Sequence, residues 1–97
     1  MDDVDLMSRL EEAQALLADG FEDALIGITE NHHFRDVAVY DYDDAVDILM
    51  VRDGMSEEEA IEFMEYNVVS AYVGESTPVF IRLISSYKQK QSALSLN

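Results

Sequence analysis

Val37-Ala38-Val39-Tyr40-Asp41-Tyr42-Asp43-Asp44-Ala45-Val46-Asp47-Ile48-Leu49-Met50-Val51-Arg52-Asp53-Gly54 changes its apolar period part-way along, and that change sets the fold class. Up to Tyr40 the residues are consecutive and apolar, with β-branched valines, as in a buried strand. Beyond it, Ala45, Ile48 and Leu49 share a face with Val46 and Met50 beside them, the recurrence of a helix. Asp41 or Asp43 supplies an oxygen to cap the first amides of that helix, and Asp53-Gly54 stops it. Directly after comes Ser56-Glu57-Glu58-Glu59, a capping box in which Ser56 bonds forward to the Glu59 amide and the Glu59 carboxylate reaches back. Three acids then sit at the favourable end of the helix dipole.

Working outward from this stretch, the third helix carries Ile61, Met64, Val68, Ala71 and Tyr72 on one stripe and Glu58, Glu62 and Glu65 on another, ending near Gly74. Pro78 opens a last strand, Val79 to Ile84, where a proline is tolerated at the first position. Upstream, Ala24-Leu25-Ile26-Gly27-Ile28-Thr29 reads as another buried strand, joined to Val37-Ala38-Val39-Tyr40 by a seven-residue connection. Before it, Leu6, Leu10, Ala13 and Leu17 predict a first helix over about residues 3 to 18, stopped by Asp19-Gly20. The order helix, strand, strand, helix, helix, strand is that of a single small α+β domain with a three-stranded, mostly antiparallel sheet packed against helices. Because the second and third helices form an antiparallel pair, the last strand is expected antiparallel to the second and parallel to the first. Leu25, Ile26, Val39, Ile48, Ile61, Met64, Val68, Phe80 and Ile81 are the expected core. Residues 1–84 form the acidic domain, and residues 85–97 a polar, weakly basic tail.

The charge is placed unevenly. All 21 acids lie between Asp2 and Glu75, against only Arg9, Arg35 and Arg52 there, a net charge of −18; Arg82, Lys88 and Lys90 follow, for +3. A field of this sign repels nucleic acid phosphates and anionic lipid heads and attracts basic proteins, so no direct nucleic acid binding and no membrane partner is expected. The absence of cysteine excludes a disulfide scaffold, a thiol nucleophile and thiolate metal sites. With an acidic start and no apolar run of about 18 residues, the expected location is the cytoplasm.

The blocks Phe21-Glu22-Asp23-Ala24-Leu25-Ile26-Gly27, Val37-Ala38-Val39-Tyr40-Asp41, Ile48 to Ala60 and Asn67 to Phe80 resemble a family of small uncharacterised proteins encoded by tailed phages and prophages. The resemblance spans about residues 20 to 81. It implies a phage or mobile-element origin, and the host cytoplasm as the place of action, but brings no activity or functional residues with it.

Candidate chemistry is sparse. Asp41-Tyr42-Asp43-Asp44-Ala45-Val46-Asp47 is dense in carboxylates, yet an EF-hand loop needs an oxygen where Ala45 stands and a glycine where Val46 stands. The plain reading is a helix cap with a solvated acidic face. His32-His33 with Glu30 offers an imidazole and a carboxylate, but adjacent histidines in an extended loop point opposite ways and no third ligand is evident. No Gly-rich phosphate loop and no nucleophile elbow is present, so no cofactor and no catalytic residue is called for and the chain is read as non-enzymatic. What remains is the acidic surface. Glu58, Glu62 and Glu65 rise about 6 Å and 4.5 Å apart along a helix, close to the spacing of backbone phosphates. With Asp44 and Asp47 on the preceding helix, and Glu11 and Glu12 on the first, they form a candidate face for a basic protein, as a DNA mimic acting on a nucleic acid-binding factor. The alternative is an assembly module that docks through an apolar patch, its acids serving only solubility, which in a small domain needs a net charge of only about 2 to 8 in magnitude.

Overall fold

The computed structural model describes residues 3–30 and 35–83. Helix α1 (Asp3–Glu12) is followed by a 3-10 turn at Glu22–Ala24, strands β1 (Leu25–Ile28) and β2 (Ala38–Asp41), helices α2 (Tyr42–Asp53) and α3 (Glu57–Phe63), a π-helical segment Met64–Val69, and strand β3 (Val79–Ile81). The α+β class and the expected order of elements are the observed ones. The His32-His33 pair and the 85–97 tail lie outside the described residues.

Strand and helix meet without a loop at Asp41. It is the last residue of β2 and, with extended backbone, the cap of α2, its Oδ1 accepting from the Asp44 amide at 3.0 Å. Gly54 ends α2 at φ 70°, a left-handed conformation that glycine adopts without a Cβ clash. The capping box of α3 is complete: the Glu59 amide donates to Ser56 Oγ at 3.1 Å, and the Ser56 amide donates to Glu59 Oε1 at 2.9 Å. Ser56→Ala is expected to destabilise the domain by about 1 kcal/mol. A thermal melt indistinguishable from the parent would place the helix start elsewhere.

Two helices stop earlier than their periodicity suggests. The first ends at Glu12, not near residue 18. Gln14 turns left-handed at φ 56°, and the Ala15 and Gln14 amides close back onto the Leu10 and Glu11 carbonyls, both at 3.0 Å, forming a Schellman motif. A tertiary bond replaces the lost helical ones, since the Ala18 amide donates to the Tyr40 hydroxyl at 2.8 Å. Leu16 and Leu17, read as a continuation of the helix, are exposed. A glutamine in this conformation is strained, so Gln14→Gly is expected to add about 1 kcal/mol of stability, read as a raised urea midpoint. An unchanged or lowered midpoint would show that the Gln14 contact with Arg35 outweighs the relieved strain.

The third helix does not reach Gly74 either. It widens into π geometry at Met64, which keeps Met64 fully buried and Val68 against the core, and turns at Ser70. Ala71 and Tyr72, expected on its buried stripe, are exposed.

The sheet order is β1-β2-β3. The β1–β2 pair is antiparallel, with Leu25 opposite Tyr40, Ile28 opposite Ala38, and a bulge between Leu25 and Gly27. Thr29 and Val37 close the pair with bonds in both directions. The β2–β3 pair is parallel, with Val39, Tyr40 and Asp41 beside Val79, Phe80 and Ile81, so the sheet is mixed rather than mostly antiparallel, and β3 runs parallel to β2 and antiparallel to β1, the reverse of the expected directions. Residues 70–78, read from the sequence as a helix end and a turn, carry the chain back to start β3 beside the beginning of β2. Parallel neighbours require such a crossover.

The core is centred on Leu10, Tyr40, Leu49 and Met64, with Phe21, Ala24, Ala38, Tyr42, Ala45, Val46 and Ala60 around them. Phe80 stacks on Tyr40 at 5.0 Å and meets Phe21 edge-on at 5.9 Å. Met64 lies where it was expected, while Leu25, Ile48, Val68 and Phe80 border this core. Ile26, Ile61 and Ile81 are exposed, and Val39 is half-buried outside the core. Ile61 and Val39 miss by one residue, since the buried positions are Ala60 rather than Ile61, and Ala38 and Tyr40 rather than Val39, while Ile26 and Ile81 stand beside Leu25 and Phe80, which pack against the core. In a strand, a slip of one residue exchanges the faces.

Candidate functional site

The two helices that follow β2 bury one side each. Tyr42, Ala45, Val46 and Leu49 of α2, and Ala60 and then Met64 beyond the end of α3, form the inward stripe. At about 100° per residue, Asp44 and Asp47 fall opposite the first stripe, and Glu58 and Glu62 opposite the second, while Glu65 lies in the π-helical segment beyond that spacing. All five are exposed. The two stretches are tied where α2 begins and the π-helical segment runs, because the Tyr42 hydroxyl donates to Glu65 Oε2 at 2.7 Å. The Arg82 guanidinium lies 4.3 Å above the Tyr42 ring, and its Nε is 3.4 Å from Asp43 Oδ1. This cluster fastens the end of β3 to the helical hairpin.

Few cations are available to neutralise the hairpin. Arg9 pairs with Glu30, and Arg52 with Asp53 while it also donates to the Gly20 carbonyl at 2.6 Å. Asp44, Asp47, Glu58 and Glu62 make no ion pair among the described residues. Crowding shows in the Asp44 carboxyl, which lies above its ordinary value chiefly because of the neighbouring Asp41 charge, then slight burial, then Asp47 and Asp43. Like charges held this close are a destabilising arrangement that folding maintains. Glu59 behaves oppositely, held below its ordinary value by the Ser56 amide and then the Ser56 hydroxyl, so its carboxylate belongs to the helix cap.

The structure therefore brings Asp44, Asp47, Glu58, Glu62 and Glu65 onto the outer surface of one hairpin. Glu65 differs from the rest in being committed to Tyr42. Glu11 and Glu12 are exposed on α1, which packs against β1, and so they belong to another part of the surface. Asp41, counted in the carboxylate-dense run, is used as a cap. Among the described residues no group of three or more acids and histidines is arranged to hold a metal ion.

Sequence reasoning missed two apolar surfaces. One is the outer face of the sheet. The other is a groove of about 900 Å³ lined by Val37, Val69, Tyr72, Pro78, Val79 and Phe80, with Arg35 and Glu75 among its polar walls. The signal for the first was present in Leu25-Ile26-Gly27-Ile28 and Val79-Phe80-Ile81. Such unbroken apolar runs mark strands meant for cover on both faces.

No family model, no curated protein and no solved structure matches the chain. Among the described residues no helix is long and apolar enough to cross a membrane.

Proposed function

We propose that this chain is a small phage-type accessory protein that acts without catalysis, by binding a basic protein through the outer surface of the α2–α3 hairpin. It presents carboxylates in place of nucleic acid phosphates and so inhibits a nucleic acid-binding protein in the cytoplasm of the host. The observation that carries this reading is the set Asp44, Asp47, Glu58 and Glu62, exposed on two adjoining helices and without ion pairs among the described residues. Such a set is costly to a domain of net charge −15, because self-repulsion weakens the compact state.

A second reading, an assembly module that docks through an apolar patch while the acids only solubilise, is favoured by the apolar strand side chains Ile26, Val79 and Ile81, which are exposed among the described residues. Retention of host proteins on the immobilised chain, eluted at stepped salt, tests the first reading. A partner held by the acidic hairpin elutes as ionic strength approaches about 0.1 to 0.2 M and is displaced by duplex DNA. Partners held unchanged through high salt, and indifferent to DNA, would reject the mimic.

A further inference from the structure

Ala13-Gln14-Ala15-Leu16-Leu17-Ala18 is built from some of the best helix formers, and Asp19-Gly20 follows it as a stop. It also continues the period of α1, since Leu6, Leu10, Ala13 and Leu17 share one stripe. Yet α1 ends at Glu12, and residues 15–18 have no helical geometry. Local preference and tertiary placement disagree in this strap of residues 13–20. Gln14 holds φ 56° without being a glycine. Among the described residues the Leu16 and Leu17 amides make no bond, and their side chains are 43% and 44% exposed.

Two long-range bonds latch the strap. The Ala18 amide donates to the Tyr40 hydroxyl at 2.8 Å, and Arg52, in the last turn of α2, donates to the Gly20 carbonyl at 2.6 Å. The Arg52 guanidinium also lies 5.9 Å from the centre of the Phe21 ring, which follows the strap and belongs to the core. We propose that residues 13–18 are a conformational switch with two folded states, the latched strap and a continuation of α1 as far as Ala18. Winding gives the Leu16, Leu17 and Ala18 amides the carbonyls of Glu12, Ala13 and Gln14, and returns Gln14 to right-handed backbone. It also carries Leu17 onto the stripe of Leu6 and Leu10. The latched state keeps instead the two long-range bonds and the left-handed turn. The states therefore differ in the length of α1, in the partner of the Tyr40 hydroxyl and in the freedom of Arg52. Arg52 is the only basic residue from Tyr42 to Val69, so the switch acts at the end of the acidic hairpin. This inference does not depend on the DNA-mimic reading, because neither state alters the carboxylates of that hairpin.

Carbon-13 Cα shifts of residues 13–18, measured by NMR on the full chain, test it. Tyr40→Phe with Arg52→Met removes both latches while keeping the ring and an unbranched apolar stem. Helical shifts from Gln14 to Ala18 and a deeper 222 nm minimum than the parent's are expected. Adding Gln14→Gly favours the left-handed turn and disfavours the helix, and is expected to lower the ratio of wound to latched molecules at least about tenfold. Shifts unchanged from the parent in the folded double variant would overturn the proposal. So would random-coil shifts, since the strap would then melt rather than wind. If the double variant does not fold, saturation-transfer NMR of the parent decides. A minor state with helical shifts at residues 14–18, depleted at least about tenfold by Gln14→Gly, is the expected result. A parent without such a state, or with one at random-coil shifts, would refute the switch.

Discussion

Tyr40→Ala is expected to lower stability by about 3 to 5 kcal/mol, a large share of the roughly 5 to 15 kcal/mol that a domain of this size has. Three consequences of the truncation add. The ring is 1% exposed at the centre of the core, so its removal leaves a cavity. Its stacking partner Phe80 loses the contact that holds β3 against β2 from the inner side. Its hydroxyl also accepts the Ala18 amide, which has left the helical ladder of α1 and is otherwise without that bond. Tyr40→Phe isolates the last effect and is expected to cost about 1 kcal/mol, the usual net value of one hydrogen bond, because the bond is only partly buried. Ile61→Ala is the contrasting substitution, because Ile61 is 37% exposed and its truncation is expected to cost less than about 1 kcal/mol. Urea denaturation of the three variants measures the order. Equal losses for Tyr40→Ala and Ile61→Ala would mean the core is centred elsewhere.

Reversal of charge on the hairpin is expected to abolish binding to a basic partner while the domain stays folded. The positions are Asp47→Lys, Glu58→Lys and Glu62→Lys, each exposed and each without an ion pair among the described residues. Glu65 is left out although it shares the face, because Glu65→Lys removes the acceptor of the buried Tyr42 hydroxyl and mixes a stability effect with a binding effect. Glu58→Lys places a cation in the first turn of α3, against the dipole, at an expected cost of about 0.3 to 1 kcal/mol. Asp47→Lys relieves one of the charges that crowd Asp44, an opposing effect. The net change in melting temperature is therefore small. Retention of the same partner by the triple variant, with unchanged affinity and salt dependence, would leave the acids as a solvated surface and transfer function to the apolar sheet.

Local signals along the chain were enough to place most elements. The strand-to-helix switch at Asp41, the glycine stop at Gly54 and the capping box at Ser56 are each made by neighbouring residues, and each forms as its chemistry dictates. The exposure of the five candidate carboxylates followed equally from helical spacing. Where the chain had two locally acceptable choices, tertiary contacts decided. The repeat from Leu6 to Leu17 favours one long helix, yet the Ala18 amide bonds Tyr40 and the helix closes at Gln14. Val39 and Tyr40 are both acceptable in a buried strand, and Tyr40 is the one taken into the core, where its ring stacks on Phe80 and its hydroxyl accepts from the Ala18 amide. The direction of β3 depends on where residues 70–78 travel, which no short-range period encodes. The same holds for Ile26, Val79 and Ile81, exposed among the described residues: an apolar run states that a strand suits burial on both sides, but which of its side chains are covered is a property of the assembled tertiary structure.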